Sequence, residues 1–155
     1  MPIAKAELGL INHKGAPKPD VGTVRALRHT LLDAKAIALG DPDNSVSGEY
    51  FADLIERLQI ADAVKPKIRT FASASEALHA VANGEADLAV GVVSTANGPE
   101  TELAGVLPAQ AKKINSYSAA ILAGSNQTQA AQALNAFIAS SASLTVLKAK
   151  GFVSP

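Results

Sequence analysis

Ser45, Ser47 and Gly48 follow the turn formers Gly40-Asp41-Pro42-Asp43-Asn44 and open an amphipathic segment. Hydroxyls and unpaired amides at a helix start, beside the positive end of its dipole, suit an anion or a carboxylate. Serine is also a favoured N-cap, so the same groups can serve capping alone. A second junction lies at Phe71 to Ser75, where Ser73 precedes Glu76 by three residues. That is the spacing of a capping box, in which the hydroxyl takes the Glu76 amide and the carboxylate reaches back. Other reactive types are scattered. Asp41 and Asp43 sit two apart in a turn, and His13, His29 and His79 are spread over a loop and two helices. Lys112-Lys113 reads as a solvated loop pair, and Ser116-Tyr117-Ser118 has no flanking glycines of a nucleophile elbow. No phosphate loop, dinucleotide fingerprint, zinc helix or catalytic triad is legible. The expectation is a binding protein, not an enzyme, with no catalytic residue, no metal site and no cofactor.

Composition narrows the partners. The 155 residues carry 14 basic and 14 acidic side chains, a formal net charge of zero. A phosphate-tracking nucleic-acid binder carries a basic excess. Zero charge also lacks the polybasic pull toward anionic lipid. Cysteine is absent, which excludes disulfides, thiolate metal sites and thiol nucleophiles. Aromatic residues make up 4% and tryptophan is absent, too few for a base-stacking platform. No apolar run approaches the ~20 residues of a membrane span. Neither nucleic acid nor membrane insertion is expected, and the length fits one domain or slightly more.

The elements that would hold the two junctions alternate between strand and helix. Ala6–Ile11, Ala36–Leu39, Lys67–Phe71, Leu88–Val93, Leu103–Leu107 and Tyr117–Leu122 read as strands. Leu88-Ala89-Val90-Gly91-Val92-Val93 is the strongest, and its unbroken apolarity predicts burial on both faces. Helices are predicted from Asp20 or Thr23 to Leu32, Ser47 to Leu58, Ser73 to Asn83-Gly84, Thr128 to Ser140, and Ala142 to Lys150 with Gly151 as the stop. The alternation through 36–93 predicts a three-layer α/β sandwich with a mostly parallel sheet. In such sheets ligands sit outside the carboxyl ends of the strands, where both junctions fall.

Several segments together carry a resemblance. They are Lys14-Gly15-Ala16-Pro17-Lys18-Pro19-Asp20, Thr23-Val24-Arg25-Ala26-Leu27, Gly40-Asp41-Pro42 leading to Ser47-Gly48-Glu49-Tyr50, Gly84-Glu85-Ala86-Asp87-Leu88, and Leu147 to Phe152. In order and spacing they resemble the molybdate-binding, or broadly type 2, periplasmic solute-binding proteins of bacterial ABC importers, over about residues 6–153. The resemblance implies the second of two α/β lobes plus the C-terminal helices of the first, with the family's N-terminal half lacking. It implies a lobe over residues 1–122 and a helical segment over 123–155 that packs on a first lobe or a partner. It implies ligand contacts at Ser47 and Ala74, whose positions match amides that meet the anion. Val92 stands where the family has a tyrosine ligand, a departure that removes a hydroxyl donor. With the junction residues Ser45, Gly48 and Ser73, these make the expected site.

Two expectations follow. The first is capture of a small anion or polar solute; the alternative is a self-associating interaction protein that kept the fold and lost the ligand. The apolar faces of the last two helices, with Leu134, Phe137, Ile138, Leu144 and Leu147, predict a homo-oligomer, with exchanged C-terminal helices as one form of it. The resemblance implies a periplasmic location, whereas Met1 to Lys5 shows no apolar signal region, which leaves the cytoplasm open.

Overall fold

The computed structural model describes all residues, 1–155. By contacts the chain divides into two units, Glu7–Lys113 and a second formed by Met1–Ala6 with Ile114–Pro155. The boundary expected at 122 lies inside the second of these.

The larger unit is built on β1 (Pro2–His13), β2 (Ile37–Gly40), β3 (Ile68–Phe71), β4 (Leu88–Val92) and β5 (Thr101–Val106), in the order β3-β2-β4-β1-β5. β2 is parallel to both β3 and β4. β1 is antiparallel to β4 and to β5, so it alone runs against the other four. The mostly parallel sheet is therefore present, with one reversed strand inside it.

The helices are α1 (Val24–Asp33), α2 (Val46–Arg57), α3 (Ala61–Val64), α4 (Ala74–Ala82) and α5 (Val93–Ala96). Leu27 and Leu31 of α1 and Phe51, Leu54 and Ile55 of α2 pack with Leu8, Leu10, Leu88 and Val90 on one face of the sheet. Ala77, Ala80 and Val81 of α4 and Ala96 of α5 pack with Ile11, Ala38 and Ala89 on the other. Three layers result. The second face is lined by alanine, and small side chains let α4 lie close to the strands. β4 contributes to both cores, because successive strand residues point to opposite faces.

Capping chemistry fixes the helix starts. The Thr23 hydroxyl accepts from the Ala26 amide at 3.1 Å, which selects Thr23 over Asp20 as the α1 cap. Ser45, not Ser47, caps α2, so the helix opens one residue earlier than its apolar spacing predicts. The α2 apolar stripe centres on Phe51, Leu54 and Ile55, with Tyr50 and Leu58 at its margin. The Glu76 amide donates to the Ser73 hydroxyl at 3.2 Å. The reciprocal bond from Glu76 back to Ser73 is not formed, because that carboxylate lies out in solvent. α4 stops at Gly84, whose φ of 75° suits a residue without Cβ. The predicted strand 88–93 loses its last residue to α5, and the Thr95 hydroxyl donates to the Val92 carbonyl at 2.9 Å.

In the second unit β6 (Ile114–Ser118) pairs with β1, whose Pro2–Ala6 stretch belongs to this same unit. It lies earlier than the predicted 117–122, and Leu122 is 82% exposed. The edge register decides this: the Ala119 amide meets the Met1 carbonyl at 2.9 Å, which ends the ladder there. Tyr117 and Phe152 meet edge to face at 5.5 Å between ring centres. α6 (Thr128–Ile138) and α7 (Ser141–Ala149) follow. Neither helix buries a residue.

Candidate functional site

Both junctions lie at the carboxyl ends of parallel strands, α2 after β2 and α4 after β3. The connecting turn is closed by its own aspartate. Asp41 Oδ1 accepts from the Asp43 amide at 3.0 Å and Oδ2 from the Asn44 side chain at 3.3 Å. The Asp41 amide donates to the Phe71 carbonyl at 2.8 Å, which ties this turn to the end of β3. Asp41 is thus a turn residue with both oxygens engaged.

The starts of α2 and α4 converge on Gly40. A Cβ there would lie 2.8 Å from Ser45 Oγ and 2.9 Å from the Ala74 nitrogen. Gly48 brings the first turn of α2 down on β2. A Cβ at 48 would stand 2.1 Å from the Gly40 carbonyl oxygen, so no side chain fits. The Gly48 amide donates to Ser45 Oγ at 3.3 Å, and Ser45 Oγ and Ser47 Oγ lie 2.9 Å apart. Ser47 is buried. The two α2 hydroxyls therefore bond to each other and to the helix, and face inward. The amides of Val46 and Ser47, and of Ala74 and Ser75, make no hydrogen bond within the chain. These are the orphan donors that every helix start leaves. Ser73 caps α4, as described. Val92 ends β4 opposite Leu8 and packs against the α1/α2 core. Its side chain adds bulk and no polar atom.

The histidines stay apart, and no group of three metal-ligating side chains gathers anywhere in the chain. His13 Nδ1 lies 2.9 Å from the Lys14 carbonyl, which accepts from it.

Two polar features escaped sequence reading. Tyr50 donates its hydroxyl to the Ala111 carbonyl at 2.8 Å and accepts from Arg57 at 2.8 Å. Arg57 lies 5.3 Å and the Lys113 ammonium 5.7 Å from the same ring centre. The bond to Tyr50, with the nearby Asp53 carboxylate, holds the Arg57 guanidinium above its ordinary value. Lys112 pairs with Glu7, so the Lys112-Lys113 pair is engaged rather than free in solvent. The Ala111 partner of Tyr50 lies 61 positions away, beyond the reach of local spacing.

The second is Asn12, 2% exposed at the far end of the sheet. Its Nδ2 donates to the carbonyls of His13 and Ala16 at 3.1 and 3.4 Å. Its Oδ1 is buried without a partner. An orphaned acceptor of this kind costs about 1–3 kcal/mol. A single asparagine before a Pro/Gly loop carries no sequence signal of it.

The sequence matches, over residues 1–153, the family described as bacterial extracellular solute-binding protein. An aconitate isomerase from Pseudomonas sp. is 31% identical over 140 residues, 89% of this chain and 52% of that one. The chain thus spans about half the length of that curated relative. The periplasmic molybdate-binding protein of Azotobacter vinelandii superposes with a TM-score of 0.71 at 17% identity, covering 100% of this chain and 68% of its own. PEB3 of Campylobacter jejuni with L-phospholactate bound gives a TM-score of 0.79 at 16% identity, with coverage of 100% and 68%. At these identities the two structures speak to the fold.

Proposed function

The chain belongs to the bacterial extracellular solute-binding proteins, and we propose that it holds a small anion at the starts of α2 and α4. The observation that carries this is the convergence on Gly40, which sets two helix openings with free first-turn amides side by side. Each opening adds the positive end of a dipole, worth roughly 0.3–1 kcal/mol toward a negative charge at an exposed site. The donors are the backbone amides of Ser47 and Ala74 with those of Val46 and Ser75. The Ser45 and Ser47 hydroxyls act behind them, holding the helix rather than the ligand. Val92, where the resemblance has a tyrosine ligand, offers no hydroxyl donor, which favours a ligand with a carbon body over a bare oxyanion. The ligands in the names of the three similar proteins, aconitate, molybdate and L-phospholactate, are all anions.

Binding rather than chemistry is the role proposed, because the nearest carboxylate in the turn, Asp41, has both oxygens committed. Isothermal calorimetry against molybdate, tungstate, sulfate, L-phospholactate and cis-aconitate tests the reading. A carboxylate or phosphate ester should bind, and more tightly than sulfate. Heats at the dilution level for all five would remove the proposal.

A second reading concerns assembly. Leu134, Phe137 and Val146 of α6 and α7 are 58, 65 and 60% exposed. An apolar face of this kind favours self-association, and it is compatible with solute capture.

A further inference from the structure

A cavity of about 350 Å³ flanks α4, at the small end of the range that takes an organic ligand. Leu78, His79 and Ala82 form its helical wall, with Ser75 and Asn83 at the two ends. Thr95 and the Gly98–Thr101 turn form the wall opposite. The Gly98 amide closes that turn by donating to the Thr101 carbonyl at 3.0 Å.

Strand register puts Thr101 at the base of this cavity. Thr101 pairs with His13, two positions from the Leu103–Ile11 pair. Ile11 and Leu103 pack with the alanines of α4. Residues two apart on a strand share a face, so Thr101 also stands on the α4 side. It is 6% exposed. Its Oγ1 lies against Gly98, where a Cβ would stand 2.9 Å from it. The hydroxyl has no hydrogen-bond partner in the chain, yet it is not walled off, since the one partnerless side-chain atom closed to water is Asn12 Oδ1. The cavity that Thr101 lines is thus where its hydroxyl meets solvent.

The rest of the lining suits neither sign of charge. No lysine or arginine is present, and the single carboxylate, Glu100, stands on the rim, 63% exposed, with His13 3.9 Å away. Ser75, Thr95 and Thr101 bring three hydroxyls, and Asn83 and His79 an amide and an imidazole. Such groups donate and accept alike. The Thr95 hydroxyl gives its proton to the Val92 carbonyl and therefore offers lone pairs. Leu78, Ala82 and Pro99 supply apolar surface between the polar groups. A ligand that donates and accepts at several points and carries a C–H edge matches this set, whereas an ion leaves half of it unused.

We propose that this cavity binds a small uncharged polyol, one hydroxyl bonded to Thr101 Oγ1, its neighbours reaching Thr95 and His79, and its C–H edge resting on Leu78 and Ala82. Water is the alternative partner of Thr101 Oγ1, so a ligand hydroxyl takes the place of a water and breaks no bond within the chain. Ser75 belongs to both places, its amide to the anion seat and its side chain to this cavity; the polyol site does not otherwise draw on the seat.

The test is amide-resolved NMR of the full chain titrated with xylitol, and in parallel with n-pentanol and D-xylonate at fixed ionic strength. Xylitol should give saturable shifts at Leu78, His79, Gly98 and Thr101. Pentanol has the same carbon count and one hydroxyl, and xylonate brings a carboxylate with no cation to receive it; both should bind several-fold more weakly, read at Gly98 and Thr101, which lie outside the anion seat. Thr101→Val keeps the side-chain shape and removes the hydroxyl. It should weaken xylitol about fivefold, which is about 1 kcal/mol, and leave the urea midpoint no lower, because no bond within the chain is lost. Thr101→Ser should retain binding. Gly98→Ala sets a methyl against Oγ1 and should weaken xylitol likewise; it decides in place of Thr101→Val should that variant not fold. Absence of saturable shifts with xylitol, equal binding of pentanol or xylonate, or an unchanged affinity in Thr101→Val overturns the proposal.

Discussion

The Ser45 hydroxyl and the Ala74 amide reach one spot from two different helices, 2.8 and 2.9 Å from the place a Cβ on Gly40 would take. A methyl at 40 has nowhere to go without parting α2 from α4. Gly40→Ala should destabilise the protein by about 1–3 kcal/mol, as overpacking does. It should also weaken anion binding more than its stability loss explains. Urea denaturation and calorimetry on the same sample measure the two effects, and an undisturbed affinity would argue against a shared seat.

Ser45→Ala removes the acceptor for the Gly48 amide and should cost about 1 kcal/mol. Ser47→Ala leaves that cap in place and removes only the buried hydroxyl pair. If backbone amides hold the ligand, both variants should retain measurable anion affinity at saturating concentration. Loss of binding in Ser47→Ala with the fold intact would return the donor role to the hydroxyl.

Tyr50→Phe deletes a hydroxyl that both donates to Ala111 and accepts from Arg57. The Ala111 carbonyl loses its donor, and the expected loss is about 1–2 kcal/mol in chemical denaturation. Arg57→Gln should lose less, since the Arg57 and Asp53 side chains of its ion pair are 46 and 63% exposed to water.

Glu102 receives Lys18 at 3.1 Å and the Gly15 amide at 3.2 Å, and these hold its carboxyl below its ordinary value, Lys18 first. Its folded value is depressed, so its contribution is present above the unfolded value near about pH 4.3 and fades as acid titrates the folded group. Stability should therefore fall less steeply below about pH 4.5 in Glu102→Gln than in the parent. Denaturant midpoints across that range decide it, and identical acid limbs would contradict the assignment.

The bare faces of α6 and α7 predict self-association. Light scattering at micromolar concentration should show a species above monomer mass, and Phe137→Ser with Leu134→Ser should shift it toward monomer. A monomer in the parent protein removes this reading.

The sequence reported most where physics is local. Apolar runs and caps located β2, β4, α1 and α4 to within a residue or two, because Thr23, Ser73 and Gly84 act on their own helix. It failed where partners are distant. The reversed direction of β1 comes from pairing with β4 and β5, about 80 to 100 residues away, as Asn12 opposite Leu88 and Glu102 shows. β6 was set by an edge register and not by its apolarity. At the seat, sequence reading supplied the residues but not the orientation. Spacing alone cannot tell that Ser45 and Ser47 turn their hydroxyls on each other.

Gly48 carries a longer consequence. With a carbonyl 2.1 Å from where its first carbon would be, position 48 admits one amino acid out of twenty. A saturation library screened only for soluble expression should return the glycine codon there almost uniformly, whichever solute is offered. That single column of sequencing reads would report on the architecture of this corner independently of any affinity assay.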